Sequence, residues 1–143
     1  MTVKQISVFV ENKPGRLAEF ADLLRKNQID MRALSIAEAK DFGILRVIVD
    51  NSYETACLLK ESGYVFSITP VLAVAIPDEA GGLCDILHIL QENEINLEYT
   101  YAFISRKKDL AYMILRVQDN DKAIEVLGEH GVQLIGQDDL TEF

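Results

Sequence analysis

Val10-Glu11-Asn12-Lys13-Pro14-Gly15-Arg16-Leu17 decides how this chain folds. Before it, Ile6, Val8 and Val10 alternate with Ser7, Phe9 and Glu11, the period of two that marks a strand. After it, Leu17, Phe20, Ala21 and Leu24 keep helical spacing as far as Asn27. Asn, Pro and Gly between the two patterns make a turn that opens a helix. Pro77-Asp78-Glu79-Ala80-Gly81-Gly82-Leu83 repeats the arrangement, between a strand pattern at 72–76 and a helix pattern at 82–93.

The echo extends along the chain. Slid along itself, the sequence places Val8 on Val74, Gly15 on Gly81, Leu17 on Leu83, Leu24 on Leu90, Asn27 on Asn93 and Ile29 on Ile95. Ile44-Leu45-Arg46-Val47 recurs as Ile114-Leu115-Arg116-Val117, and Leu59 and Gly63 as Leu127 and Gly131. The first half continues with strands at 31–38 and 44–49, a helix capped by Asp50-Asn51-Ser52 and stopped at Gly63, and a strand at 64–68. The second half continues with strands at 97–104 and 110–117, a helix at 120–130 and a strand at 132–135. Each half reads β-α-β-β-α-β, the ferredoxin-like motif. The expected domains are 1–69 and 70–143, meeting without a linker at Thr69-Pro70.

Units of this size lie near the lower limit for a self-sufficient core. Phe9, Ile44, Ile48 and Tyr101 make the second sheet face partly apolar. The units are therefore expected to bury surface on one another, and the whole to form a homodimer.

Composition narrows the function. The chain has 143 residues, 49% hydrophobic and 26% charged, which excludes wholesale disorder. No apolar run approaches the roughly 20 residues of a membrane span. The N-terminus has no long apolar leader, so a cytoplasmic protein is expected. Residues 1–69 balance their charges, so the whole net charge of −9 falls on residues 70–143. An acidic surface disfavours nucleic acid and anionic membrane as partners. Arg106-Lys107-Lys108 reads as a solvated hairpin tip. Cys57 and Cys84 read as reduced, packed thiols, and His88 and His130 as isolated helix residues. None has the spacing of a metal site, and no cofactor is expected. A metal chaperone on this scaffold would need paired cysteines, and an RNA-binding version exposed aromatics and basic charge. An enzyme would need a nucleophile and base, or two acids close together; Glu11 and Asp30 have no evident partner.

The two turns, each followed by a helix ending in Asn27-Gln28-Ile29-Asp30-Met31 or Asn93-Glu94-Ile95-Asn96-Leu97, resemble the signature of the ACT domain, a small-molecule-sensing module of amino-acid metabolism. The resemblance covers nearly the whole chain twice and is that of a stand-alone tandem ACT protein. It implies an α+β fold: two ferredoxin-like units side by side in one eight-stranded antiparallel sheet, helices on one face. It implies a non-catalytic regulatory protein that binds a free amino acid between the helix-start loop of one unit and the second strand of the other. The alternative is a ligand-free ACT pair serving as an interaction or scaffold subunit of a biosynthetic enzyme. A small hydrolase or isomerase of ferredoxin-like fold is the third reading.

The residues of the loop suit a ligand on their own chemistry. A helix start exposes unpaired amides, here those of Gly15, Arg16 and Leu17, which suit a carboxylate. Gly15 lets a ligand approach the backbone. Asn12 offers a donor and an acceptor, and Asp30 a partner for an ammonium. Lys13, Pro14 and Arg16 complete the first loop; Asp78, Gly81, Gly82 and Leu83 form its counterpart, and Asn96, Tyr99 and Tyr101 the facing strand. Leu17, Phe20, Ala21 and Leu24, like Leu83, Ile86, Leu87 and Leu90, read as core. The repeats are chemically unequal. Pairing across units joins Asn12 with Asn96, but Asp78 with Asp30, and two acids repel a ligand carboxylate. The Asn12 side is therefore the expected principal site.

Overall fold

A computed structural model describes residues 1–142. The chain divides into two compact units, Lys4–Thr69 and a second made of Met1–Val3 with the chain from Pro70 onward. The first unit contains β1 (Val3–Glu11, from Lys4 on), α1 (Arg16–Lys26), β2 (Met31–Glu38), β3 (Phe42–Val49) and α2 (Ser52–Glu61). β4 (Phe66–Pro77) begins in this unit and ends in the second. The second unit continues with α3 (Gly82–Glu92), β5 (Leu97–Phe103), β6 (Leu110–Val117), α4 (Asn120–Glu129) and β7 (Gln133–Ile135), then a short 3₁₀ turn at Gln137–Thr141.

Seven strands are thus present among the described residues, not the eight expected. The strands expected at 64–68 and 72–76 are one. Thr69-Pro70 does not interrupt them, because a proline is tolerated where its missing N–H is not needed by a neighbour. The eight-stranded count is corrected accordingly.

In the first unit β3 lies between β1 and β2, antiparallel to both, with Val8 opposite Leu45 and Ile36 also opposite Leu45. The Phe9 amide donates to the Val65 carbonyl at 3.0 Å, bringing the chain after α2 alongside β1. Ile6, Val8, Val10, Leu45, Val47 and Val49 share one sheet face, onto which Phe20 and Leu24 of α1 and Leu59 of α2 pack. In the second unit β6 lies between β4 and β5, and β7 pairs with the other edge of β4. Leu72, Val74, Leu115 and Val117 there receive Ile86 and Leu90 of α3 and Leu127 of α4.

The caps follow the sequence. The Asn51 side chain accepts from the Glu54 amide at 3.0 Å, and Asp119 from Lys122 at 3.1 Å. His130 ends α4, its ring Nδ1 donating to the Val126 carbonyl at 2.8 Å. Three core assignments are corrected: Leu17 is 44% exposed, Leu87 41%, and Ala21 is exposed too, so each helix buries only part of its apolar face. Cys57 and Cys84 are free but exposed, not packed. Ile48 and Tyr101, read as outer-face residues, are buried, whereas Phe9 is 44% exposed and leans on Phe42 at 5.8 Å between ring centroids.

Candidate functional site

Gly15 has φ 87°, ψ −14°, and Gly81 φ 91°, ψ −8°. This left-handed conformation precedes α1 and α3 alike and costs a residue with a Cβ about 1–2 kcal/mol. Neither helix has a side-chain cap. The Arg16 amide, expected to be open, donates to the Lys13 carbonyl at 3.3 Å, as Gly82 donates to Glu79 at 3.1 Å. The Gly15 and Leu17 amides have no acceptor within the turn. Asn12 does not cap the helix. Its amide donates to the Asp41 carbonyl at 3.0 Å, tying the loop to the β2–β3 turn and leaving its side chain exposed. Asp78 repeats this with Asp109.

The side chains of the first loop form two ion pairs. Lys13 Nζ meets Glu11 at 3.0 Å, and that hydrogen bond and charge, with the charge of Arg16, hold the Glu11 carboxyl below its usual range. Arg16 Nη1 donates to both Glu19 oxygens, at 3.1 and 3.2 Å. Its Nε is buried and has no partner. Pro14 is exposed at the tip.

Two hollows flank this loop within the first unit. One, toward β2, lies between Asn12, Lys13, Leu17, Ile36, Glu38 and Gly43 and holds 80 Å³. The other, toward the end of α2, is a cleft of 340 Å³ walled by Phe9, Glu11, Arg16, Glu19, Gly63 and Tyr64.

Asp30 stands elsewhere, at the entry to β2. Its amide donates to Asp50 Oδ1 at 3.1 Å, and its carboxylate pairs with Arg32 at 3.1 Å. Arg32 is only 7% exposed and occupies a register shift between Met31 and Ala33. The sequence reading missed this pair, which supplies Asp30 with a countercharge. Spacing gave no signal for it, because the register shift at Arg32 breaks the period of two that would otherwise put residues two apart on one face. In the second repeat the same register shift falls at Glu98, paired with Arg116 at 3.4 Å. Asn96 is exposed, Tyr99 half-buried, and Tyr101 9% exposed with its ring 6.4 Å from that of Tyr99. Gly82 is buried and Leu83 packs partly on the core. No cluster of three His, Cys, Asp or Glu among the described residues could hold a metal ion, and no helix among them is long and apolar enough to cross a membrane.

Duplicated β-α-β-β-α-β units, each with an uncapped left-handed glycine at its first helix, define a class of small paired modules. The chain belongs to the ACT domain pair family, which matches residues 1–143. It is similar to protein BT0572 from Bacteroides thetaiotaomicron, at 38% identity over 100% of this chain and 98% of that one, with a TM-score of 0.93. The regulatory subunit of aspartate kinase from Thermus thermophilus, in its ligand-free form, shares the fold at 14% identity and a TM-score of 0.64, over 88% of this chain and 90% of that one. The aspartate kinase of Clostridium acetobutylicum shares it at 12% identity and a TM-score of 0.51, over 90% of this chain but 32% of that longer one. No curated protein matches the chain.

Proposed function

We propose that the protein is a non-catalytic regulator that senses a free amino acid, and that the loop from Asn12 to Leu17 receives the ligand. The observation that supports this best is the pair of acceptor-free amides, Gly15 and Leu17, beside a glycine with nothing within 4 Å of its Cβ position. Such a helix start favours a carboxylate by hydrogen bonding and by its dipole. Asn12, unengaged at its side chain, supplies the polar group that fixes orientation. The proposed domains are 1–69 and 70–143, the proposed assembly a homodimer in the cytoplasm, and the regulated partner a biosynthetic enzyme. The family match and the kinship of fold with a regulatory subunit support a regulatory role.

A thermal-shift screen of the full chain against the twenty amino acids tests the reading. Ligand at about 100 times its Kd adds roughly 2.7 kcal/mol to stability. One amino acid should raise the midpoint, and calorimetry should find its binding lost in Asn12→Ala but retained in Asp78→Ala. A flat screen would favour the alternative, a ligand-free scaffold subunit. Light scattering should return twice the mass of one chain.

A further inference from the structure

The first half of β4 is the outer strand of the first unit, with β1 on one side of it. The Phe9 amide donates to the Val65 carbonyl, so Val65 and, two residues on, Ser67 turn their N–H and C=O toward β1. Phe66 and Ile68 turn theirs the other way, because these groups alternate along a strand. β6 and β7 pair with β4 only from Leu72 onward, and no backbone hydrogen bond among the described residues closes on Phe66 or Ile68. The two ends of this edge are sealed. The Tyr64 amide donates to the Leu59 carbonyl at 3.0 Å. Pro70 has no N–H, and its carbonyl accepts from Asn120 Nδ2 at 3.1 Å. The open stretch is Phe66 to Ile68.

The second repeat has the same edge closed. Gln133, Leu134, Ile135 and Gly136 are the counterparts of Val65 to Ile68. The Gly136 amide donates to Asp139 Oδ2 at 2.9 Å, and its carbonyl accepts from the Asp139 amide at 3.1 Å, as the chain turns into its 3₁₀ segment. Ile68, at the equivalent place, keeps both groups free. Sheets guard such edges with charge, proline or a covering segment. Here Pro70 alone does so, and residues 63–77 carry no charged side chain. Val65 is 67% exposed and Ile68 45%.

An open, uncharged edge suits another strand edge, and a second copy of the chain fits it in register. With a twofold axis at Ser67, Phe66 faces Ile68 of the partner subunit, and each such pair exchanges both of its N–H···O=C bonds. Val65 then faces Thr69 of the partner subunit, and Ser67 faces the partner's Ser67. That central pair is of the non-hydrogen-bonded kind, in which Cα atoms stand about 4.5 Å apart and a small side chain fits. Every opposed pair is uncharged, and Phe66 against an isoleucine is an aromatic–β-branched pair that favours a sheet. The charge distribution agrees. Residues 1–69 balance their charges and the net −9 falls on residues 70–143, so copies that meet through the first repeat meet the least repulsion.

We infer that the edge from Phe66 to Ile68 is the interface of a twofold homodimer, in which β4 of one copy adds antiparallel to β4 of the other. This rests on the homodimer proposed above and names the surface that makes it.

Light scattering and crosslinking of the full chain test it. The parent should return twice the mass of one chain. Ser67→Lys sets two cations face to face, and Ile68→Pro removes an outward N–H that the single chain does not use. Each should return the mass of one chain at the same concentration, with an unchanged far-ultraviolet circular dichroism spectrum. In a Cys57→Ser, Cys84→Ser background, Ser67→Cys should crosslink under mild oxidation roughly tenfold faster than Gln133→Cys, because the separation across the axis lies within disulfide range. Should either substitution unfold the chain, the crosslinking rate decides. A dimeric parent with either folded variant still dimeric, or with Ser67→Cys no faster than Gln133→Cys, would overturn the edge while sparing the dimer. A parent with the mass of one chain would overturn both.

Discussion

Gln28 and Glu94 end equivalent helices in the same left-handed backbone conformation, with φ of 56° and 55°. Each follows an asparagine whose Nδ2 donates to the carbonyl four residues back, Leu23 at 2.8 Å and Ile89 at 2.9 Å. Each precedes an isoleucine whose amide closes on the helix, Ile29 on Leu24 and Ile95 on Leu90. The reversal turns Ile29 into the core, and the core holds the strained residue in place. Gln28→Gly and Glu94→Gly should each raise stability by about 1 kcal/mol, because glycine adopts this conformation without the Cβ penalty. The two gains should add. Urea melts of the single and double variants measure this, and a loss at either position would show that the side chain contributes more than the strain costs.

Gly82→Ala should destabilise the protein by roughly 1–3 kcal/mol. Helix propensity alone predicts the opposite sign, as alanine is about 1 kcal/mol better than glycine within a helix. The Pro77 carbonyl decides the outcome. Gly15→Val meets no neighbour, so it should carry only the strain of its left-handed backbone and fold well while losing ligand binding. Thermal melts with binding measurements distinguish these two.

Leu24→Ala should cost about 2–5 kcal/mol, as the side chain is 1% exposed. Leu17→Ala, two turns earlier on the same face but 44% exposed, should cost under about 1 kcal/mol. Equal losses in denaturant midpoint would mean that Leu17 is covered in solution.

Burial, then the charge of Glu19, raises the Tyr64 phenol above its ordinary value, and Arg16 opposes them. A raised folded-state value favours the neutral phenol. Its contribution to stability is whole below the ordinary value and is lost as pH rises through the folded one. Glu19→Gln should bring the titration down and Arg16→Gln should take it further up. Ultraviolet difference titration against Tyr64→Phe isolates the one tyrosine among five.

The order of elements was legible because alternation in Ile6, Val8 and Val10 and helical spacing in Phe20 and Leu24 report burial directly. Asn51 and Gly63 marked the ends of α2 for the same local reasons. The fused β4 was not legible, since Thr69-Pro70 carries a turn signal that only strand pairing overrides. The exposure of Leu17 was hidden too, because spacing tells which residues share a stripe but not how far along the helix that stripe is covered. At the site, the loop was read from Asn12, Pro14 and Gly15. Its cleft was not, because Tyr64 and Gly63 lie far along the chain and only the return of β4 beside β1 brings them to Arg16.

Genes for domain proteins recombine most freely where an exposed linker can be cut without breaking contacts. Here the boundary between the repeats falls inside one strand, and six buried residues, Val71 to Ile76, follow it at once. A copy of either repeat excised at that point would carry half a strand and an unpaired edge. The strand belongs to both repeats at once, so neither can be cut out there without dividing it.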